Sequence, residues 1–377
     1  MWHEISMSTL PTRQSFYTRL AKPEDEAVIR NLLRDAPMQG AVRLALLREP
    51  DANLAAGIEG GKHNTVLVMD AGSEQVLGMG NRSVRPLYVD GQVCSVGYLG
   101  LLRVSPGRKV IRRLIAGFRE LEQTRSGHEL DCDLTSIIED NSVVVRLLER
   151  GLKGLPYYRP LAKLSTFILA TSTNVGKLRN KVESASIDDL GDIVSCLQEY
   201  LSQYQFSPYW DEEAIQDTRL CNNLSPDDFL IIRDGNKVSS CLAIWDQRKF
   251  KQVMLRGYSG LIANLRPMLN ILLSILGKPR LPKVPGELNM AYISHLAVRN
   301  NDPGKFVDMV KAARGAAAKR GIDYLALGLT TAHPLNGIMR AAFPHYRYTS
   351  NLYTVHWGRK PADVLRGRIP HVEVAVL

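Results

Sequence analysis

Apolar residues along this chain recur with two periods. Alternation or short apolar runs mark strands at residues 17–20, 65–69, 75–84, 93–104, 130–138 and 163–170, where successive side chains face opposite sides of a sheet. Spacings of three and four mark helices. One opens at Pro23-Glu24-Asp25-Glu26, with acids in its first turn and Val28, Ile29, Leu32 and Leu33 as its apolar face. A second helical piece is expected near residues 41–47. A third, over 108–123, gathers Val110, Ile111, Leu114, Ile115, Phe118 and Leu121 on one face and leaves Arg112, Arg113 and Arg119 off it. A short helix over 141–150 is stopped by Gly151. Gly97 and Gly100 inside the 93–104 strand predict a bulge or a close approach by a ligand.

The pattern then restarts. An extended piece at 183–186 leads into a helix at Ile187-Asp188-Asp189-Leu190, and a hairpin turns at Asp234-Gly235-Asn236 between strands 229–232 and 237–245. Residues 96–104 and 290–298 are strand-like runs that both end in valine and meet a Pro-Gly turn, at Pro106-Gly107 and Pro303-Gly304. Each is followed by a basic amphipathic helix and another strand, 130–138 or 322–330, and 352–357 reads as a closing strand. Self-similarity at about half the chain length points to a duplicated unit. The expected class is α+β, in two tandem domains over 15–171 and 178–358, each a mixed, mostly antiparallel sheet flanked by helices. The polar segment 172–177 joins them.

Length and composition agree. A chain of 377 residues exceeds one ordinary core, and 45% hydrophobic with 23% charged residues describes a soluble globular protein. The longest apolar stretch, 261–276, is interrupted by Asn264, Arg266 and Pro267. It is too short and too polar to span a bilayer, so it reads as a core or interface helix, with no membrane partner expected. The residues through Gln14 lack an apolar signal region and read as a loose tail. Cys94, Cys132, Cys196, Cys221 and Cys241 form no Cys-x-x-Cys pair, and no histidine cluster has metal spacing. They read as buried thiols of a cytoplasmic protein without a metal. The net charge of +10 suggests an anionic partner. No Lys/Arg tract is interleaved with aromatics, which argues against nucleic acid. Residues 371–377 form an apolar end that would dock on a domain or a partner.

The order of elements resembles the GCN5-related N-acetyltransferase superfamily twice over, across roughly 17–170 and 182–357. The resemblance implies two such domains, with acetyl-CoA or another acyl-CoA lying between the fourth and fifth strands of a half and its pyrophosphate on the start of the following helix. The physical basis is general: a helix N-terminus offers free N–H groups and partial positive charge to phosphate. Against the family signature Arg/Gln-x-x-Gly-x-Gly/Ala this chain has Arg108-Lys109-Val110-Ile111-Arg112-Arg113. The leading arginine is present, Ile111 and Arg113 replace the glycines, and Arg108, Lys109, Arg112 and Arg113 supply charge in place of closeness. The alternative is a solvated basic helix face.

Asn141-Ser142-Val143-Val144-Val145-Arg146-Leu147-Leu148-Glu149-Arg150-Gly151 resembles the family run after the fifth strand. The resemblance places Asn141 on the pantetheine arm, or as a helix cap. Leu148 stands where the family has the tyrosine that protonates the departing thiolate, and Tyr157 and Tyr158 are the nearest phenols to replace it. The expected cofactor contacts are therefore Leu102, Arg103, Val104, Arg108, Lys109, Val110, Arg112, Arg113 and Asn141, with a backbone N–H around Leu102–Val104 as the oxyanion donor. Glu139, at the end of the fifth strand, is the nearest carboxylate for a base; it also reads as a surface residue beside a turn. The second half carries an acid and one cation at its helix start, Asn301-Asp302-Pro303-Gly304-Lys305-Phe306. Its His295 is either a base or a packed structural residue. The cofactor is therefore expected in the first half, with the second half shaping the substrate site or making a homo-oligomer.

Three functions follow. The first is an acyl-CoA-dependent N-acyltransferase that acts on a small-molecule or peptide amine in a ternary complex. The second is a tandem transferase using aminoacyl-tRNA, and the third a non-catalytic CoA-binding or scaffolding protein. No cysteine sits in a motif that would lower its pKa, and Cys94 and Cys132 lie in apolar strand-like runs where thiols stay protonated, so direct transfer is expected.

Overall fold

The computed structural model describes residues 15–35, 42–258, 260–275, 280–358 and 367–377. In chain order the elements are β1 (Phe16–Leu20), α1 (Glu26–Asp35), β2 (Val42–Leu47), α2 (Ala52–Glu59), β3 (Lys62–Asp70), β4 (Val76–Val89), β5 (Gln92–Val104), α3 (Val110–Gln123), β6 (Cys132–Ile138), α4 (Ser142–Glu149) and β7 (Tyr157–Ala170). The second half continues with β8 (Glu183–Ser184), α5 (Leu190–Leu201), α6 (Glu212–Gln216), β9 (Phe229–Asp234), β10 (Lys237–Trp245), β11 (Gln252–Tyr258), α7 (Gly260–Ile275), β12 (Gly286–Glu287), β13 (Met290–Val298), α8 (Pro303–Lys319), β14 (Tyr324–Thr330), α9 (Pro334–Ala342) and β15 (Tyr346–His356).

One pairing scheme occurs twice. In the first half β3, β4 and β5 are antiparallel neighbours and β5 pairs β6 in parallel; in the second β9, β10 and β13 are antiparallel and β13 pairs β14 in parallel. The closing strands are exchanged. β15, the last strand among the described residues, lies between β6 and β7, and β7 lies between β15 and β14. The halves thereby merge into a 12-stranded mixed sheet, ordered β1-β3-β4-β5-β6-β15-β7-β14-β13-β10-β9-β8. Helices α3 and α4 pack through Leu114, Phe118, Leu121 and Leu148 on one face, and α8 and α9 through Phe306, Met309, Leu335 and Met339. Helices α1, α2 and α5 belong to further clusters, the last of which includes the C-terminal Ala375 and Val376.

Two expectations are corrected. Residues 42–47 are a strand, not a helix: β2 pairs antiparallel with β11, some two hundred positions away, in a small sheet β12-β11-β2. The Leu-Ala-Leu-Leu composition suits a helix, and a distant partner strand overrides it. Strand β7 also begins six residues earlier than expected and takes in Tyr157 and Tyr158. Of the α1 face, Ile29 and Leu33 are buried while Val28 is exposed. The segment through Gln14 lies outside the described residues.

The Gly97 expectation resolves into a close approach. Arg82 of β4 is fully buried and makes a bidentate ion pair with Asp133 of β6, Nε to Oδ2 at 2.9 Å and Nη2 to Oδ1 at 2.8 Å. The pair crosses β5 at Gly97, the residue in register with Asp133. A Cβ there would sit 2.0 Å from Asp133 Oδ1 and 2.6 Å from Arg82 Nη2. Gly97→Ala should therefore break a buried pair and lower the unfolding free energy by about 3–5 kcal/mol, read from urea denaturation. A loss under about 1 kcal/mol would show that the pair tolerates displacement.

Candidate active site

The parallel strands β5 and β6 separate early. They pair only at Gly97–Asp133 and Tyr98–Leu134. Beyond that root Thr135 Oγ1 donates to Leu99 O (2.8 Å), and the Tyr98 and Ser136 hydroxyls bond at 2.8 Å. Burial raises the Tyr98 phenol to about 12, so it stays protonated. β5 then runs on to Val104 and β6 to Ile138, opening a V.

A β-bulge lies on the β5 arm. Met79 pairs Arg103 and Asn81 pairs Gly100, so Leu101 and Leu102 together oppose Gly80. Leu101 has φ 54°, and the extra residue drops out of the ladder. Such a bulge takes backbone groups out of the ladder beside the V, and N–H groups are what an oxyanion requires. Residues Leu102, Arg103 and Val104 are half-buried on this arm. The Arg103 guanidinium donates to Leu102 O (3.0 Å), and burial, with the Arg48 charge nearby, lowers its pKa.

Past β5 the chain turns at Gly107, whose φ is 138°, and enters α3. No side chain caps this helix, and its first turn carries no acid. Arg108, Lys109 and Arg112 are exposed around it, Val110 is half-buried, Lys109 Nζ donates to Ser15 Oγ (2.8 Å) and Arg113 Nη1 to Ser105 O (3.2 Å). The expected cationic residues thus ring the start of α3 next to the mouth of the V, where Val110 N–H already donates to Gly107 O (3.1 Å) and Arg113 N–H to Lys109 O (3.0 Å). Asn141 occupies the cap position of α4 without a side-chain capping bond.

The catalytic expectations fare differently. Glu139 is exposed and paired with Lys163 Nζ at 2.5 Å, three residues beyond Ser136. This surface ion pair beside a turn does not put the carboxylate at the root of the V. Tyr157 and Tyr158 lie opposite His356 and Val355 of β15, which are level with Cys132 and Asp133 of β6. They sit at the opposite end of β6 from Glu139 and Asn141, which are not brought together with them. Tyr158 is packed edge-on to Phe118 and Tyr353, and burial raises its pKa. A phenol from this pair is therefore withdrawn as the acid for the departing thiolate.

What sequence reasoning missed is a buried polar group on the α2 side. Glu59, the last residue of α2, forms an ion pair with Arg48, both 4% exposed. Glu59 Oε2 accepts from Asn81 Nδ2 (3.3 Å), which also reaches Ser83 (2.8 Å). A Cβ on Gly100, beside the bulge, would lie 4.0 Å from Glu59 Oε2. Gly60 lets α2 end against β4, since a Cβ there would meet the Val84 backbone at 2.6 Å. The only signal in the sequence was a single carboxylate closing an alanine-rich run before Gly60-Gly61.

The second half repeats the geometry and fills it. Cys241 pairs Ala297 and Ala243 pairs Ser294, so His295 and Leu296 bulge opposite Leu242, and His295 has φ 50°. Both positive-φ residues stand three before the terminal valine. Here the V between β13 and β14 holds the C-terminal segment: His295 N donates to Glu373 Oε1 (3.2 Å), Thr330 Oγ1 to Pro370 O (2.6 Å), and a Cβ on Gly328 would touch Val374 at 2.9 Å. Residues 371–377 thus dock within the chain. His295 is the packed structural residue: its ring lies 4.2 Å from that of Trp210, and burial lowers its pKa to about 3. The N-terminus of α8 is also occupied, with the Asp302 carboxylate accepting from Lys305 N (2.9 Å).

No protein-family model and no curated protein matches the sequence. Solved structures do resemble the fold. A GCN5-related glucosamine N-acetyltransferase region of a fungal multi-domain GH3 β-N-acetylglucosaminidase superposes with TM-score 0.57 at 14% identity, over 90% of this chain and 38% of that one. Saccharomyces cerevisiae N-myristoyltransferase with bound myristoyl-CoA superposes with TM-score 0.54 at 10% identity, over 95% of this chain and 82% of that one. A GCN5-related N-acetyltransferase from Sphaerobacter thermophilus gives TM-score 0.51 at 14% identity, over 92% and 96%. The chain has the GCN5-related N-acetyltransferase fold.

Burial raises the Glu373 carboxyl from 4.5 to about 7, against its bond from His295 N–H and the Arg85 charge. The native state then holds a proton that the unfolded chain releases. This stability is complete below about pH 4.5 and is lost as pH rises to about 7. Wild type should lose ~2–3 kcal/mol relative to Glu373→Gln between about pH 5 and pH 8, read from paired denaturation curves. Parallel curves would mean that Glu373 ionises normally.

Proposed function

We propose that this chain, built on the acyltransferase fold just described, moves an acyl group from acyl-CoA to an amine. The observation that carries the reading is the bulged, splayed β5–β6 pair whose mouth opens onto the uncapped, cation-ringed start of α3. Acyl-CoA would place its pyrophosphate on the α3 N–H groups among Arg108, Lys109, Val110, Arg112 and Arg113. Its pantetheine would run along Leu102, Arg103 and Val104, with Asn141 across the V. The second V is closed by the chain's own residues 370–374, which favours the first half as the cofactor half.

Chemically, the acceptor nitrogen attacks the thioester carbonyl carbon and the C–S bond breaks. The developing oxyanion is met by N–H groups at the Leu101–Leu102 bulge. Glu59, held by Arg48 and Asn81 beside Gly100, is our candidate to take the proton that the amine releases. The thiolate leaves without a dedicated acid, since a thiol is a good leaving group. Burial lifts the Cys132 and Cys221 thiols to about 12 and raises Cys241 as well, which favours direct transfer over an acyl-cysteine. Arg103 is a half-buried cation near the Arg48–Glu59 pair; Lys251 is buried, donates from Nζ to Leu377 O (2.7 Å), and burial lowers it to about 8.

Two measurements test the reading. Calorimetric titration with CoA should give saturable binding that Arg108→Ala, Arg112→Ala weakens by roughly 2–4 kcal/mol; unchanged affinity removes these side chains from the site. Thiol release from acetyl-CoA across a panel of amino acids, phosphorylated amines and neutral amines should reveal an acceptor. For that acceptor Glu59→Gln should lower kcat about 10²–10⁴-fold while leaving CoA affinity intact. CoA binding with no thiol release for any acceptor favours the non-catalytic reading.

A further inference from the structure

Helix α7 leaves an aliphatic face in solvent. Its side chains Leu265, Met268, Ile271, Leu272 and Ile275 are between 40% and 77% exposed. Its half-buried positions include Leu269, Leu273 and Asn270, whose amide accepts from Leu281 N (2.6 Å) and donates to Leu281 O (3.1 Å). A helix of a water-soluble domain normally buries its aliphatic stripe, and a contiguous exposed one marks a docking surface. Spacings of three and four along 265, 268, 272 and 275 put these side chains on one face.

The charge around this face selects the partner. Residues 260–286, the helix and the loop after it, contain four lysines and arginines and no aspartate or glutamate, in a chain whose whole net charge is +10. Exposed Arg280 and Lys283 follow the helix, and the Arg280 guanidinium donates to Ser274 Oγ (3.0 Å), which holds a cation at the end of the apolar face. A second copy of this chain would bring the same cations together, an unfavourable juxtaposition. Aliphatic side chains flanked by cations suit the interface of an anionic bilayer, where acyl chains accept the former and headgroups the latter. Among the described residues no helix is long and apolar enough to cross a membrane, so the contact is peripheral.

We propose that α7 and the loop after it dock the protein on the surface of an anionic lipid bilayer. The helix follows β11, the partner of β2, whose chain continues directly into Arg48. The inference stands on α7 and its charges alone and is independent of the acyltransfer reading.

The experiment is vesicle co-sedimentation of the full chain with phosphatidylcholine alone and with about 30% phosphatidylglycerol added. Wild type should bind the anionic vesicles at least ~10-fold more tightly, and ~0.5 M salt should weaken that binding. Met268→Asp, Ile271→Asp should cost ~10-fold or more in partitioning with an unchanged melting temperature, since both side chains are exposed. Arg280→Ala, Lys283→Ala provides a second variant that leaves the apolar face intact, and it should reduce the preference for anionic lipid. No binding by wild type, equal binding to both compositions, or wild-type binding by the Met268→Asp, Ile271→Asp variant overturns the proposal. So does a concentration-dependent dimer that this variant abolishes without any vesicle binding, which would assign the face to a second copy.

Discussion

The fully buried Arg82–Asp133 pair sets the geometry on which the rest depends. It spans three strands, from β4 over Gly97 of β5 to β6, and Trp357 Nε1, just past β15, adds a bond to Asp133 Oδ2 at 2.9 Å. A buried ion pair adds little net stability over a well-packed apolar substitute. Its value here is registry. Two charged groups out of water must meet each other, so β5 and β6 are locked in parallel at one level and no other. Everything above that level is then free to diverge, and the V is the consequence.

The duplicated halves put the same geometry to different uses. Each has a bulge three residues before a terminal valine, with a non-glycine residue at positive φ, Leu101 or His295. Such backbone is costly for a side chain, and it persists where the surroundings over-determine it. In the second half the surroundings are the protein itself: aromatic rings around His295, a protonated-range carboxyl at Glu373 and the C-terminal segment in the wedge. In the first half the wall is polar and cationic, and the helix beyond it has an uncapped start. One wedge is packed by the chain's own C-terminal segment, and the other has polar and cationic walls.

Strand exchange explains why the two units act together. Because β15 pairs with β6 and β7 pairs with β14, neither half owns its central strands. Separating them would expose two unpaired sheet edges, which proteins avoid. The same continuity places the first half's V beside elements of the second. Lys251, which precedes β11, lies close enough to feel the Glu59 and Arg48 charges.

Periodicity alone determined a good deal about this protein. The α+β class, the repeat, most strands and helices, the cationic start of α3 and the bulge near Gly100 were all legible, because each is written in local spacing or in residues adjacent along the chain. Contacts between distant segments were not. A β2 strand made by β11, the exchange of β7 and β15, the tail inside the second V and the Arg48–Glu59 pair join residues that no local rule connects. Tyr157 and Tyr158 show the same limit from the other side. Nearness in sequence to the α4 motif suggested a role, and the register of β7 against β15 carried them to the far end of β6. Local pattern specifies what each segment is; only the burial of its apolar face and the pairing of its backbone decide what it stands beside.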